Sequence, residues 1–434
     1  MIREASGQHS ALRKRIAVIG SGISGMAAAY FLSSKHDVHL FERTDRIGGH
    51  THTHQIEATV DGRKQTLPID TGFIVHNDRT YPNLIRLFAE LGVKTANSDM
   101  SFGVSDRSTG FEWSSRGLSG FFVDPSNWLS PKHYAFLFDI LCFNRDARRL
   151  LSDTSKVDTP FGEFLNAHHY SQHFINNYIL PMASAVWSTS LSQMLDFPAF
   201  TLLRFFDNHG FLGINSHYQW KYVVGGSSSY IPPLTVPYRN NIYLNTEILG
   251  VFRSQSGVRI TFSNRNPFIC DEVIFACHGN QVLPMLADAN NLEREILGAF
   301  KTSRNPTVLH TDTGVLPQRE SARASWNYHN GMTQSARGGA TMTYAMNRLQ
   351  KLASEETFCV TLNANGNLDS NKILREMVYH HPLFNLASIK AQSRWQEISG
   401  KNHTHFCGAY WFNGFHEDGL NSAIRVAKSF GIDW

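Results

Sequence analysis

The sequence is poor in charge. Asp, Glu, Lys and Arg make up 18% of its 434 residues, against about 25% in an average soluble domain. Its 40 basic and 36 acidic side chains leave a formal net charge of +4, too weak a field to recruit nucleic acid. Cysteines are few and scattered. Cys142, Cys270, Cys277, Cys359 and Cys407 contain no C-x-x-C pair, which argues against a disulfide framework or a zinc site. No long apolar run stands unbroken. Residues 16–32 come nearest, but Gly20, Ser21, Gly22, Ser24 and Gly25 interrupt them, which excludes a membrane span there. Residues 1–15 are polar, end in Arg13-Lys14-Arg15 and lack the apolar core of a signal peptide. The expectation is a reduced, cytoplasmic protein with a flexible tail over 1–13. Peripheral contact with the inner face of a membrane stays open.

What is present is ample core material. Hydrophobic residues reach 42% and aromatics 12%, with 30 phenylalanines, which excludes a disordered chain. The length predicts two or three compact units.

Residues 15–20 form a short apolar run suited to a buried parallel strand. Gly20, Gly22 and Gly25 follow in the pattern G-x-G-x-x-G, and Ile23 and Ser24 lead into an alanine-rich helical stretch. A second strand over 36–41 ends in Glu42. The order is strand, glycine turn, helix, strand, acid. Gly20 permits the tight turn, Gly22 a close approach to a pyrophosphate, and Gly25 close helix–strand packing. The helix start offers free N–H groups and a partial positive charge to phosphates. Glu42 stands where a carboxylate accepts from ribose hydroxyls. The pattern predicts a dinucleotide site.

After Arg43 come Arg46-Ile47-Gly48-Gly49-His50-Thr51, and later Asp70-Thr71-Gly72-Phe73. This arrangement resembles the FAD-binding amine oxidase and phytoene desaturase superfamily. There, a glycine pair lets the chain pass near the flavin diphosphate, and the second string ends a strand near the ring. On its own, Asp70 reads as a turn residue bonding its own backbone. Residues 248–251, 257–262 and 272–276 alternate like strands leading back to the main sheet. The resemblance places backbone contacts to adenine near Ile248. Val224-Gly225-Gly226-Ser227 reads either as a glycine-rich helix entry or as an ordinary loop. Phe406-Cys407-Gly408-Ala409-Tyr410 reads as a strand and turn. Gly414-Phe415-His416-Glu417-Asp418-Gly419 then opens a helix over 420–430, and the resemblance sets Gly408, Ala409, Gly419 and Leu420 beside the flavin. The expected fold is α/β: a Rossmann-like FAD-binding domain assembled from 14–100, 218–283 and 401–434. A mixed helical and β substrate domain takes 101–217 and 284–400. No second G-x-G-x-x-G occurs, so nothing suggests a separate nicotinamide domain.

Further strings resemble a narrower group, the bacterial flavin amine oxidase-like proteins, often described as predicted NAD/FAD-binding. They include Gly48-Gly49-His50-Thr51-His52-Thr53, Met100-Ser101-Phe102, Ala185-Val186-Trp187-Ser188-Thr189, Ser325-Trp326-Asn327-Tyr328 and Met346-Asn347-Arg348-Leu349-Gln350. The group is similar to the flavin domain of plant cyclopropane fatty acid synthases. The resemblance implies a noncovalent FAD enzyme that oxidises or desaturates a fatty acyl chain of membrane lipid. Two alternatives accompany it: oxidation of a small amine, and a non-catalytic flavoprotein partner of a lipid methyltransferase.

His416, Trp411 and Phe415 are the candidate catalytic residues, with His416 either a base or a supporting imidazole. Phe415 matches one aromatic wall of an amine oxidase, and Trp395, Tyr410 and Trp411 are candidates for the other. Lys301 occupies roughly the segment of the flavin-side lysine but reads better as a surface residue. Asp418 replaces the small residue usual at its position. The tract His50-Thr51-His52-Thr53-His54 would turn three imidazoles to one side of a strand. No acidic or cysteine partner stands at ligand spacing, so no metal is expected. The run 134–143, followed by Arg145, Arg148 and Arg149, reads as a buried core helix or as an interfacial helix suited to anionic lipid. Core is the commoner cause. His380-His381-Pro382 reads as a turn.

Overall fold

The computed structural model describes residues 13–153, 158–187, 189–213, 218–330, 341–364, 366 and 368–434. The expected tail over 1–13 falls almost wholly outside the described residues, as does Ser188.

A five-stranded parallel sheet lies at the centre. Its spatial order is Ile242–Tyr243, Asp37–Phe41, Arg15–Ile19, Glu272–Phe275 and Thr404–Phe406. Ala17 pairs with His39 on one side and Val273 on the other. Residues 16–18 are fully buried, as the middle strand of a sheet covered on both faces must be. The helix Ile23–Ser33 packs Ala27, Ala28 and Ala29 inward without exposed surface. Small side chains let it sit against both the sheet and the last helix, His416–Ser429.

The hairpin Thr53–Val60 and Arg63–Asp70 turns through Asp61-Gly62, both with positive φ, which is the two-residue turn that suits strand twist. Ile248–Ser254, Gly257–Phe262 and Phe268–Cys270 form a three-stranded antiparallel sheet. The third of these strands was not anticipated.

The inserted stretches build a seven-stranded sheet. Its order is Ile373–Leu383, Lys301–His310, Cys359–Leu362, Met342–Ala345, Trp326–Asn330, Phe102–Asp106 and Phe111–Ser114. Here the structure corrects the turn expected at His380-His381-Pro382. These residues continue an edge strand, with Pro382 opposite Thr302. An edge tolerates proline because its missing N–H faces no partner. Asn327 is buried and bonds Ala324 and Thr343, so it serves the sheet.

The last helix starts at His416, four residues before the expected Leu420. Asp418 causes this early start: its Oδ2 accepts the Phe415 N–H at 2.9 Å, a third-position carboxylate folded back on the helix start. That is the structural use of the acid that departs from the usual small residue.

Candidate functional site

Two helix starts meet at the glycine turn. Gly20 has φ +102, and a Cβ there would press on the Ala276 and Cys277 backbone at 3.0 Å. Gly25 would drive a Cβ to 1.9 Å from the Gly20 carbonyl, so it lets the turn close on itself. A Cβ on Gly22 would instead point into open space. Gly22 precedes Ile23 at the helix start, and no side chain caps that end. Gly419 would place a Cβ 2.7 Å from Ile23 and 2.8 Å from Ser24. Only a glycine lets the start of the last helix rest on the start of the first. Ala409 adjoins the same position, and Leu420 is buried in the following turn.

The glycine pair closes on this turn. Gly48 donates its N–H to the Ser21 carbonyl at 2.9 Å. A Cβ on Gly49 would come within 3.0 Å of Gly22 Cα. Arg46 holds the pair by donating to the Gly49 carbonyl at 2.8 Å. The Glu42 carboxylate accepts from Ser21 N and Oγ at 3.1 and 2.6 Å, and from Thr44 N at 2.9 Å. It therefore stands at the rim of the turn, with Arg43 exposed beside it. Ile248 begins the neighbouring antiparallel sheet. Thr246, two residues earlier, donates its N–H to the Glu42 carbonyl at 2.8 Å.

Beyond the glycine pair the chain runs beside Thr71, Gly72 and Phe73. Phe73 N–H donates to the His50 carbonyl at 2.7 Å, and Thr71 N–H to the His52 carbonyl at 3.0 Å. A Cβ on Gly72 would fall 2.0 Å from the His50 carbonyl oxygen. Asp70 is fully buried and does not serve its own turn. Its oxygens accept from Ser227 N at 2.9 Å, Thr53 Oγ1 at 2.5 Å and Gln350 Nε2 at 3.0 Å. It thus binds hairpin, Gly225-Gly226 loop and inserted domain together. Burial raises its pKa to about 7.

His416 is central. Its ring stacks on Phe73, and Nε2 lies 2.9 Å from Thr51 Oγ1 and 3.2 Å from the Tyr230 hydroxyl. Burial lowers its pKa to about 3, so it stays neutral at neutral pH. Glu417 accepts the N–H groups of Asn83 and Leu84 at 3.0 and 2.8 Å, capping the helix Pro82–Glu90. Phe415 turns the other way, stacking on Phe205 with centroids 5.0 Å apart.

The histidine tract does not converge. The His52 and His54 rings lie 4.0 Å apart, tilted by 44°, and His52 Nδ1 lies 3.0 Å from the Tyr379 hydroxyl. His50 instead joins Tyr379, His381 and His278, with ring centroids at 5.2, 5.3 and 5.8 Å. Burial, then His381, His278 and His416, hold the His50 pKa well below its usual range. No His, Cys, Asp or Glu group among the described residues has the arrangement of a metal site. His50 Nε2 is buried and unpaired. Open space at Gly22 and an uncapped helix start, with the Arg46 cation beside the glycine pair, fit the phosphates of a dinucleotide.

Trp411 lies elsewhere. It is enclosed by Phe300, Tyr410 and Arg425 and makes no ring contact with Phe73 or His416. Trp395 sits under Arg425, 3.9 Å from its guanidinium, and Tyr410 packs on Phe300. The ring that stacks on Phe415 is Phe205, and Trp395, Tyr410 and Trp411 group instead around Phe300 and Arg425. Lys301 is exposed at the first position of its strand. Tyr230, Tyr379, His278 and His381 went unmarked in the sequence, where only the proximity of Tyr230 to the glycine-rich entry pointed toward the site.

The family model described as flavin containing amine oxidoreductase matches residues 23–305. Cyclohexylamine oxidase from Brevibacterium oxydans IH-35A superposes with a TM-score of 0.68 at 14% identity, covering 97% of this chain and all of that one. The CLA-producing fatty acid isomerase from P. acnes gives 0.66 at 15%, covering 96% and 98%. Putrescine oxidase bound to putrescine gives 0.66 at 14%, covering 96% and 99%. At these identities the likeness is one of fold. No curated protein matches the chain in sequence.

Proposed function

The chain belongs to the flavin containing amine oxidoreductase family, whose members are FAD-dependent oxidoreductases, and we propose that the substrate it oxidises is a fatty acyl chain of membrane lipid. The observation that carries this reading is the wall Phe415 opens onto. Phe205 stacks on Phe415, Trp187 lies 4.9 Å from Phe205, and Phe197 lies 5.0 Å from Trp187. Such rings offer large apolar contact and little polar recognition.

Three of the acids nearby are engaged, while Asp207, in the cavity beside Phe205 and Phe415, stays exposed. Glu417 serves Asn83 and Leu84, Asp418 serves Phe415, and Asp70 serves Ser227 and Gln350. None of the three is left to pair with a substrate ammonium. Lys301 is exposed at the first position of a strand of the seven-stranded sheet, which supports reading it as a surface residue. That the fatty acid isomerase shares this fold gives the reading a precedent.

The residues that would hold FAD are the turn Gly20, Gly22 and Gly25 with Ile23 and Ser24, then Glu42 and Arg43, Gly48, Gly49, His50 and Thr51. Thr71, Gly72, Phe73, Ile248, Gly408, Ala409, Gly419 and Leu420 complete the set. Bound there, FAD would supply an acceptor for a hydride from carbon, and the second hydrogen would leave as a proton to solvent. Phe415 and Phe205 orient an apolar chain and exclude water. His416, neutral and bonded to Thr51 and Tyr230, acts as a positioning residue for Phe73 rather than as a base.

The test is product analysis. Holoenzyme in air is incubated with phospholipids of known acyl composition, and separately with putrescine and cyclohexylamine. Loss of two hydrogens from an acyl chain, with no aldehyde or ketone from the amines, is the expected result. Carbonyl products from an amine and unchanged lipid would refute the assignment.

A further inference from the structure

The helix Pro131–Ser152 has two working faces. Phe136, Ile140, Phe143, Ala147 and Leu150 point into the core. The opposite face carries Tyr134, Phe138, Leu141 and Arg145 at helical spacing, then Arg148 and Arg149. The core reading of this run holds for the first side, and the second is exposed.

The outward side is unusually apolar. Tyr134, Phe138 and Leu141 are 49%, 65% and 50% exposed. Trp128 and Leu129, just before the helix, are 51% and 89% exposed, and Leu118 is 70% exposed. Among the described residues, six of the thirteen large exposed hydrophobics therefore crowd into residues 118–141. Scattered apolar side chains are ordinary, but a contiguous group marks an interaction surface. The group is also preformed. Trp128 stacks on Phe122 at 3.9 Å, and the Tyr134 hydroxyl donates to the Trp128 carbonyl at 3.0 Å.

Charge identifies the occupant. Residues 113–152 hold five cations, Arg116, Lys132, Arg145, Arg148 and Arg149, against three carboxylates. Each carboxylate is occupied. Asp124 binds Arg319 at 2.7 Å, Asp139 accepts from Ser171 at 2.5 Å, and Asp146 accepts from Arg145 and Tyr170 at 2.9 and 3.1 Å. The surplus is two positive charges: Arg116 and Lys132 are exposed, Arg145 and Arg149 share Asp146 at 2.9 and 3.8 Å, and Arg148 donates to the Leu212 carbonyl at 2.7 Å. The apolar part of this face and its arginines follow one another along the helix, with Phe138 and Arg145 about 10 Å apart at ~1.5 Å per residue. No helix among the described residues is long and apolar enough to cross a membrane.

We propose that this face docks on an anionic lipid bilayer. Leu118, Trp128, Leu129 and Phe138 enter the boundary of the acyl region, while Arg145, Arg148 and Arg149 meet the phosphates. Docking of this kind holds whichever substrate the enzyme takes.

The experiment uses full-length holoprotein and sedimentation with two kinds of vesicle, phosphatidylcholine alone and phosphatidylcholine mixed with phosphatidylglycerol. Binding to the mixed vesicles, weakened by salt, with little binding to phosphatidylcholine, is expected. The Leu129→Ser, Phe138→Ser double variant should bind at least about tenfold more weakly. The Arg148→Gln, Arg149→Gln variant should lose on the order of tenfold on the mixed vesicles alone. Unchanged flavin spectra and melting midpoints show that both variants fold. Three results would overturn docking: no binding by the parent protein, equal binding by the Leu129/Phe138 variant, or a dimer in solution that Phe138→Ser dissociates while vesicles stay unbound.

Discussion

His416 lies flat on Phe73, with ring centroids 3.7 Å apart and planes 12° from parallel. The first residue of the last helix is thereby fixed to the strand end that follows Asp70, and Thr51 and Tyr230 hold its Nε2 from the side. Three distant segments are joined through one imidazole.

Removing that ring should loosen the site without dissolving it. His416→Ala is expected to retain flavin but to be reduced by substrate on the order of tenfold more slowly, the scale of losing about one hydrogen bond and its packing. His416→Gln, which can still bond Thr51 and Tyr230, should recover part of the rate. Rapid-mixing absorbance reads both, and an unchanged His416→Ala rate contradicts the positioning role.

Gly22 isolates cofactor binding from folding. Its φ is −66° and its Cβ direction is open, so a side chain fits the protein but fills the space before the helix start. Gly22→Val should melt close to the parent, less the roughly 1 kcal/mol of a poor helix cap. It should purify without flavin. Stoichiometric FAD in this variant, measured by absorbance after denaturation, would show that the turn does not hold the pyrophosphate.

Arg253 ties the three-stranded sheet to the helix Asn291–Gly298. Its guanidinium meets Glu293 at 2.5 and 2.9 Å and Asp288 at 2.9 Å, and only 4% and 1% of the Arg253 and Glu293 side chains are exposed. Arg253→Met strands a buried carboxylate and should cost about 3 kcal/mol in urea unfolding. Adding Glu293→Gln should return part of this loss, because the amide oxygen can still accept from Asn290.

Stability should fall on acidification. Burial is the leading cause that pushes His52, His209, His278, His310, His329, His381 and His416 down to about 3 or 4. A lowered histidine pKa stabilises the fold above the unfolded value of about 6.5, and the contribution is lost as pH drops toward the folded value. Asp70 and Asp418, raised to about 7 by burial, act in the opposite sense. Their contribution is complete below about 4 and vanishes as pH rises through 7. Seven imidazoles outweigh two carboxylates, so the urea midpoint should decline steadily from pH 6.5 to 4. A midpoint that rises across that window would contradict the burial of these histidines.

The glycine turn was legible because its constraints are local. Gly20 needs a positive φ, and Gly25 needs an absent side chain within five residues. Glu42 follows from the strand that ends beside it. Asp70 looked like a turn residue because its partners, Ser227 and Gln350, are 157 and 280 residues away. His381 looked like part of a turn because Pro382 ordinarily stops a strand, and only the edge position makes it acceptable. Trp411 was marked as a ring-lining aromatic beside Phe415, but the turn between them sends the two rings to different neighbours, Phe300 and Phe205. Periodicity recorded both faces of the helix Pro131–Ser152 without telling which one the core would cover.

The most direct measurement is the visible spectrum of the anaerobic holoprotein, mixed separately with phospholipid and with an amine panel. The flavin bands should bleach with phospholipid and persist with amines. Bleaching by an amine and persistence with phospholipid would contradict the acyl-chain assignment.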